Sequence, residues 1–329
     1  MCSILRDMFM KEESVSIIAS EWEYGAGKLG SSKGPDFILQ SFKNQAHTIT
    51  TEVVQSNYTP TTSPHQTTDV HQANAVRSNL KNGEALLAHQ SLFAKKVAHQ
   101  LSLGHRCLLL TADHSNGIGG VSGLCMDRDA NSVGVIWIDA HYDLHSPYTT
   151  PSGNSHGMAV NALIDDNNTE HSEQAVTPVE ANLWESIKGI KGMGNAIPAK
   201  NLVFIGVRDY EPAEAALVEK HGICSIHPAE IEALGIEACI QKALQHLSHC
   251  ESLYVSFDVD SMDPSISTAT GTPVAGGLNL EQAKSLVQQL LNDDRTRCLE
   301  ITEFNPTLPQ PDEMLNAVRE ILGVSGLIQ

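Results

Sequence analysis

Short apolar runs rich in Val, Ile and Leu alternate along this chain with longer stretches whose apolar residues recur at helical spacing. That alternation is the mark of βα units built on a parallel sheet. The runs Ser14–Ala19, Arg106–Thr111, Val133–Asp139, Leu202–Val207, Leu253–Asp258 and Cys298–Glu303 are mostly apolar almost throughout, as strands covered on both faces should be. Helical periodicity marks Glu84–Leu103, through Leu86, Leu87, Phe93, Val97 and Leu101, and likewise Ile236–Leu247 and Leu280–Leu291. Pro311–Leu322 opens on proline and is followed by Gly323, the asymmetry expected of helix ends. Two polar stretches, Asn44–Asn82 and Asp165–Ala199, break the rhythm and read as surface excursions. No convincing linker divides the chain, so residues 1–329 are expected to form a single α/β domain.

Composition narrows the class of partner. A formal net charge of −18 argues against nucleic acid and against anionic membrane, both of which demand basic patches. Seven cysteines include no CxxC pair, and Cys107, Cys125, Cys224 and Cys239 lie in apolar surroundings, which predicts free thiols in a reducing compartment. The N-terminal segment lacks the pattern of a signal peptide, and no apolar run reaches the roughly 18 residues of a membrane span. A cytoplasmic protein is the expectation.

The chemistry lies just past the strand ends, the edge of an α/β sheet where ligands bind. One strand runs into Asp113-His114, a second into Asp139-Ala140-His141-Tyr142-Asp143, a third into Asp258-Val259-Asp260 and a fourth into Glu303. In extended backbone, residues i, i+2 and i+4 point to one side, so Asp139, His141 and Asp143 are expected to converge, as are Asp258 and Asp260. Four carboxylates and at least two imidazoles at one edge would repel without cations, and two divalent ions are their natural occupants. Such a pair activates a bridging water as a nucleophile near neutral pH. A lone DxHxD could be a solvated or capping loop, but agreement among three strands makes that reading poor.

Three further groups suit a substrate. Ser152-Gly153-Asn154-Ser155-His156-Gly157 offers hydroxyl, amide and imidazole within a short span. The Gly-Pro-punctuated loop from Thr268 to Pro273 includes Thr272. Glu303 ends a buried strand, where a carboxylate needs a cation. Each has a plainer reading, as a turn, a loop or a structural ion pair. The glycine-rich segment from Gly25 to Gly34 lacks the Gly-Lys-Ser/Thr order of a phosphate loop and reads instead as a substrate-side loop. His65, His71, His89, His99 and His249 sit in polar or helical contexts that predict exposure, and Ser115 and Ser256 lack the GxSxG setting of a nucleophile.

From about Gly25 to the C-terminus the sequence resembles the ureohydrolases, and among them the arginases, most densely at TADHS, WIDAHYD, SGNSHGM, GVRDYEP, SFDVDSMDP, ATGTPVAGG and EFNP. The resemblance implies a three-layer α-β-α sandwich around a mainly parallel, eight-stranded sheet, assembled as a homo-oligomer, trimer or hexamer. It implies two Mn²⁺ ions, one held by His114, Asp139, Asp143 and Asp258, the other by Asp139, His141, Asp258 and Asp260. Co²⁺, Fe²⁺ or Ni²⁺ would suit the same ligands chemically. His156 would shuttle the proton and Glu303, helped by Thr272, would hold the guanidinium; these two and the ligand Asp143 would be the catalytic residues. Ser152 and Asn154 would meet the substrate's α-carboxylate and Glu211 its α-amino group. The implied reaction is hydrolysis of L-arginine to L-ornithine and urea.

Two departures matter. His145 stands where arginases usually place an asparagine facing the carboxylate, and Glu211 replaces the usual aspartate. They keep open an agmatinase or another guanidino-acid ureohydrolase. A metal-binding but inactive regulatory subunit is the remaining alternative.

Overall fold

The computed structural model describes residues 15–42, 50–56, 58, 78–192 and 194–323. Among them the chain runs β1 (Val15–Ser20), α1 (Gly34–Phe42), β2 (Thr50–Val54), α2 (Gly83–Ser102), β3 (Arg106–Thr111) and α3 (Asn116–Asp127). It continues through β4 (Val133–Ile138), α4 (Pro178–Lys188), β5 (Leu202–Ile205), α5 (Pro212–His221), β6 (Cys224–Ile226) and α6 (Pro228–Leu234). Then come α7 (Ile236–His246), β7 (Ser252–Asp258), α8 (Leu280–Leu291), β8 (Thr296–Thr302) and α9 (Pro311–Ile321).

The strands form one eight-stranded sheet in the order β2-β1-β3-β8-β7-β4-β5-β6, and each neighbouring pair is parallel. Successive side chains feed opposite faces, as the pleat requires. From β3 and β4, Cys107, Leu109, Val135 and Trp137 join a core with α2, α3 and α4, while Leu108, Leu110, Ile136 and Ile138 join another with α7, α8 and α9. Both faces are therefore dry, and the architecture is an α-β-α sandwich.

All six expected strands are present, Arg106–Thr111 with the expected bounds and the others with ends displaced by at most two residues; Ser14 lies outside the described residues. The two strands not foreseen, β2 and β6, are the sheet edges and only five and three residues long. Strand β2 lies inside the polar stretch taken for a surface excursion. It pairs with β1 and buries Val54, because an edge strand needs only one apolar face. The second polar stretch also holds structure: α4 starts on a Thr177–Glu180 capping box and buries Trp184 and Ile187.

Helix α3 escaped notice because its sequence, NGIGGVSGLCMD, carries four glycines that penalise a helix. Packing explains them. A Cβ at Gly120 would lie 2.1 Å from the Tyr254 hydroxyl, and one at Gly123 would lie 2.6 Å from Val97. Glycine lets α3 lie directly on the sheet and on α2.

Cys107, Cys125 and Cys239 are buried as expected, Cys224 is half-buried, and all six described cysteines are free. No described helix is long and apolar enough to cross a membrane. His99 and His249 are exposed, but His89 is not: it is buried beside Trp22, with Nε2 2.8 Å from Ser20 Oγ. Its position on the inner face of α2 decides this, and burial lowers its pKa to about 4. His65 and His71 fall outside the described residues.

Candidate metal centre and cleft

The four central strands, β3, β8, β7 and β4, deliver the candidate residues to one place at their carboxyl ends. His114 follows β3, Glu303 follows β8, Asp258 closes β7 ahead of Asp260, and Asp139, His141 and Asp143 follow β4. The convergence does not come from extended backbone. Asp139 Oδ1 accepts the His141 N–H at 2.7 Å, and Asp258 Oδ1 accepts the Asp260 N–H at 2.7 Å, so both segments leave the sheet as tight turns. Asp143 and Glu303 have positive φ, 54° and 63°, a strained conformation for residues with a Cβ.

Two groups of ligating atoms result, His114–Asp139–Asp143 and Asp139–His141–Asp260, sharing Asp139. His114 Nδ1 lies 2.9 Å from Asp139, 3.2 Å from Asp143 and 3.2 Å from Asp258. His141 Nδ1 lies 3.3 Å from both Asp139 and Asp260. His114 Nδ1 and Asp143 Oδ2 are buried without a hydrogen-bond partner. Unsatisfied buried atoms of this kind call for a ligand, and mixed imidazole and carboxylate donors fit divalent transition metals. This is the geometry of a binuclear metal site.

The electrostatics agree. Burial, then Asp260 and Asp139, push the Asp258 carboxyl well above its ordinary range. Burial would lower the His114 imidazole, but Asp139, Asp143 and Asp258 outweigh it and hold it well above the usual value. The cluster holds more negative charge than it can keep, which favours cations.

A layer behind His114 fixes its orientation. Ser256 Oγ donates to Glu300 Oε2 at 2.7 Å and so is left to accept from His114 Nε2 at 2.7 Å. That keeps a proton on Nε2 and turns Nδ1 toward the carboxylates, so an arriving metal ion would take the place of the proton that Nδ1 holds. Thr111 and Tyr254 donate to the same buried Glu300 at 2.8 and 2.9 Å, and the His114 ring stacks on Trp137 at 3.9 Å.

The metal-binding floor opens into a cleft of ≈ 310 Å³. Ser152, Asn154 and His156 line it, together with His145, Glu211 and Glu214. Glu303 lies beneath; its Oε1 accepts the His114 N–H at 3.0 Å and is 3.2 Å from His156 Nδ1. Burial opposes protonation of His156, but Glu303 prevails and its pKa rises to about 9.

Comparison with known proteins now decides the family, since residues 13–323 match the profile of the Arginase family. The chain belongs to the arginase family. Arginase-1 of Oryctolagus cuniculus is 30% identical over 331 residues, which cover 97% of this chain and 93% of that protein. Non-hepatic arginase 3 of Xenopus laevis is 30% identical over 232 residues; the match covers 70% of this chain but only 60% of that protein. In fold, the chain resembles the crystal structure of arginase from Entamoeba histolytica, with a TM-score of 0.80 at 22% identity, covering 96% of this chain and 99% of the other.

Within this arginase-family chain all six candidate metal-ligating residues line the cleft, as do Ser152, Asn154, His145, Glu211 and Thr272, while Glu303 lies beneath it against His114 and His156. Two of the candidate side chains take protein partners. Thr272 Oγ1 donates to Asp260 Oδ2 at 3.0 Å, which ties that loop to the metal-binding floor. Glu211 Oε2 pairs with His145 Nε2 at 3.0 Å.

The structure also adds residues that pattern reading missed. Buried Asp113 accepts from the N–H groups of Gly25, Ala26 and Ser115, so the glycine-rich segment is clamped behind the site. Burial and neighbouring Glu303 raise the Asp113 pKa to about 7. Lys81 Nζ donates to Asn154 Oδ1 at 2.9 Å, and its N–H donates to the Gly153 carbonyl. A carboxylate inside the apolar run CLEIT was a legible signal for Glu300; nothing in the sequence near Lys81 pointed to the cleft.

Proposed function

We propose that this protein hydrolyses the guanidinium group of an ω-guanidino acid, with L-arginine, yielding L-ornithine and urea, as the leading substrate. The observation that carries the reading is the buried floor where His114 Nδ1 and Asp143 Oδ2 find no hydrogen-bond partner among four carboxylates. His114, Asp139, Asp143 and Asp258 would hold one ion, and Asp139, His141, Asp258 and Asp260 the other. Mn²⁺ is the proposed metal, with Co²⁺, Fe²⁺ and Ni²⁺ compatible with the same donors. When bound, such a pair supplies charge neutralisation and a water acidic enough to attack near neutral pH.

The chain's own residues do the rest. Glu303, held from below by the His114 N–H, presents a carboxylate to a planar cation. In the present arrangement His156 occupies that carboxylate; an entering guanidinium replaces the imidazole and frees it to protonate the departing amine. Thr272 holds Asp260 in place. Ser152 and Asn154, the latter held by the Lys81 ammonium, offer donors to a carboxylate at the outer end. The reading includes a single catalytic domain and a homo-oligomeric, cytoplasmic protein.

A second reading, agmatine as substrate, draws on the His145–Glu211 pair, which alters the outer end. The test is urea release by metal-stripped protein resupplied with Mn²⁺ and offered arginine or agmatine in parallel. Metal-dependent turnover of arginine supports the first reading. Preference for agmatine keeps the floor and its chemistry but removes the carboxylate from the substrate, and no urea from either rejects both.

A further inference from the structure

The outer end of the cleft holds a cluster that the reaction itself does not use. His145, Glu211 and Glu214 place ligating atoms within 4.8 Å of one another. His145 is buried between the two carboxylates, with Nε2 3.0 Å from Glu211 Oε2 and 3.5 Å from Glu214 Oε2. Its Nδ1 is 3.1 Å from Thr149 Oγ1. Glu214 is fully engaged: Oε1 accepts the Leu144 N–H at 3.0 Å, and Oε2 accepts the Glu211 N–H at 3.1 Å. Unlike the floor, this cluster has no unsatisfied buried side-chain atom among the described residues.

We propose that His145 is a built-in competitor for a substrate ammonium, so that the outer end of the cleft reads a carboxylate and is indifferent to an α-amino group. The proposal rests on the guanidino-acid reading above and narrows its substrate class. An ammonium that is to touch both Glu211 and Glu214 must sit where the imidazole N–H already sits. Entering there means breaking a charge-assisted hydrogen bond to make another, with no net gain. The segment carrying Ser152 and Asn154 differs. Ser152 and Asn154 face the cleft with the Lys81 ammonium bonded to Asn154, an arrangement whose charge suits a carboxylate. The substrate class is therefore ω-guanidino carboxylates, with or without an α-amino group.

The test compares Mn²⁺-loaded wild type with His145→Asn on L-arginine, deaminoarginine (arginine lacking the α-amino group) and agmatine. For wild type, KM for arginine and deaminoarginine should agree within about threefold, while agmatine should be poorer by about tenfold. In His145→Asn the KM of arginine should fall relative to that of deaminoarginine by about tenfold, a ratio that cancels any loss common to both substrates. A wild type that prefers arginine by well over tenfold in KM, unchanged in the variant, overturns the proposal.

A second measurement needs neither a folded variant nor turnover. Calorimetric titration of wild type with L-ornithine and with deamino-ornithine should give matching affinities. A strong preference for ornithine, or binding of neither, overturns the proposal. If no urea forms from any substrate while both ligands bind equally, the hydrolase reading fails and the role of His145 stands.

Discussion

The two ends of the cleft are built from the same residue types and end in opposite electrostatic states. At the floor, four aspartates surround two imidazoles, and His114 Nδ1 and Asp143 Oδ2 remain without hydrogen bonds. At the outer end, two glutamates surround one imidazole, and among the described residues no buried side-chain atom of the three is left unsatisfied. Proximity of His, Asp and Glu therefore does not separate an ion-binding site from an internal ion pair. What separates them is whether buried polar atoms are left unsatisfied, since each such atom costs free energy until a ligand arrives. Backbone geometry divides the ends in the same way. Asp143 and Glu303 at the floor have positive φ, whereas Glu211 begins α5 in ordinary extended conformation, with φ −92°.

The contrast can be broken most severely at Asp258. Asp258→Ala should abolish urea release and lower the metal content per chain, read by elemental analysis. Retained turnover with a full metal complement would refute its place as a shared ligand. The same change should leave the His145–Glu211 pair, and so the arginine-to-deaminoarginine affinity ratio, untouched.

Next comes His156, which connects floor and wall. His156→Ala should lower kcat by about 10²–10⁴-fold while metal content stays constant; an unchanged rate would assign proton delivery to another group. Its pH dependence has a definite sign. Its pKa is raised in the folded state from 6.5 to about 9, with burial opposing and Glu303 dominating. The stabilisation is thus complete below the unfolded value and is lost as pH rises through about 9. Metal-free wild type should exceed His156→Gln by about 1.5–3 kcal/mol near the acid end of that window. Denaturant titrations should show the gap closing above it, and a gap that widens with pH would contradict the pairing.

Behind the floor, Ser256→Ala removes the acceptor that fixes the His114 tautomer. Metal affinity should weaken by about 10–100-fold, with little change in KM once metal is saturating. Equal affinity in both proteins would show that stacking on Trp137 alone suffices to orient the ring. The smallest effect is expected at the rim. Lys81→Ala should raise KM for carboxylate-bearing substrates by about threefold to tenfold and leave agmatine alone. A uniform rise across substrates would remove Lys81 from carboxylate recognition.

Much of this was legible in the chain. Strands buried on both faces wrote their positions as unbroken apolar runs, and polar residues just past those runs marked the carboxyl edge. The misses have physical causes. Strands β2 and β6 sit at the sheet edges and are short and half-polar, so no run announces them. Helix α3 violates intrinsic propensity because close approach to Tyr254 and Val97 outweighs it. His89 looked like a solvent-facing helix residue, but its side of α2 faces Trp22 and Ser20. Thr272 and Glu211 line the same cleft as the metal-ligating candidates, while the partners their side chains take depend on a few ångströms of tertiary geometry.

The sequence by itself determined the parallel α/β architecture, the carboxyl edge as the working face, and the six residues that could hold two ions. It could do so because hydrophobic periodicity and strand-end chemistry are local properties, written over a few consecutive positions. Only the tertiary structure decided which of those polar atoms go unsatisfied, which serine turns the His114 ring, and which imidazole already occupies the glutamates at the outer end. Those are contacts between residues tens to hundreds of positions apart: 142 for Ser256 and His114, 66 for His145 and Glu211. Their energies depend on burial and on distances that no local pattern encodes.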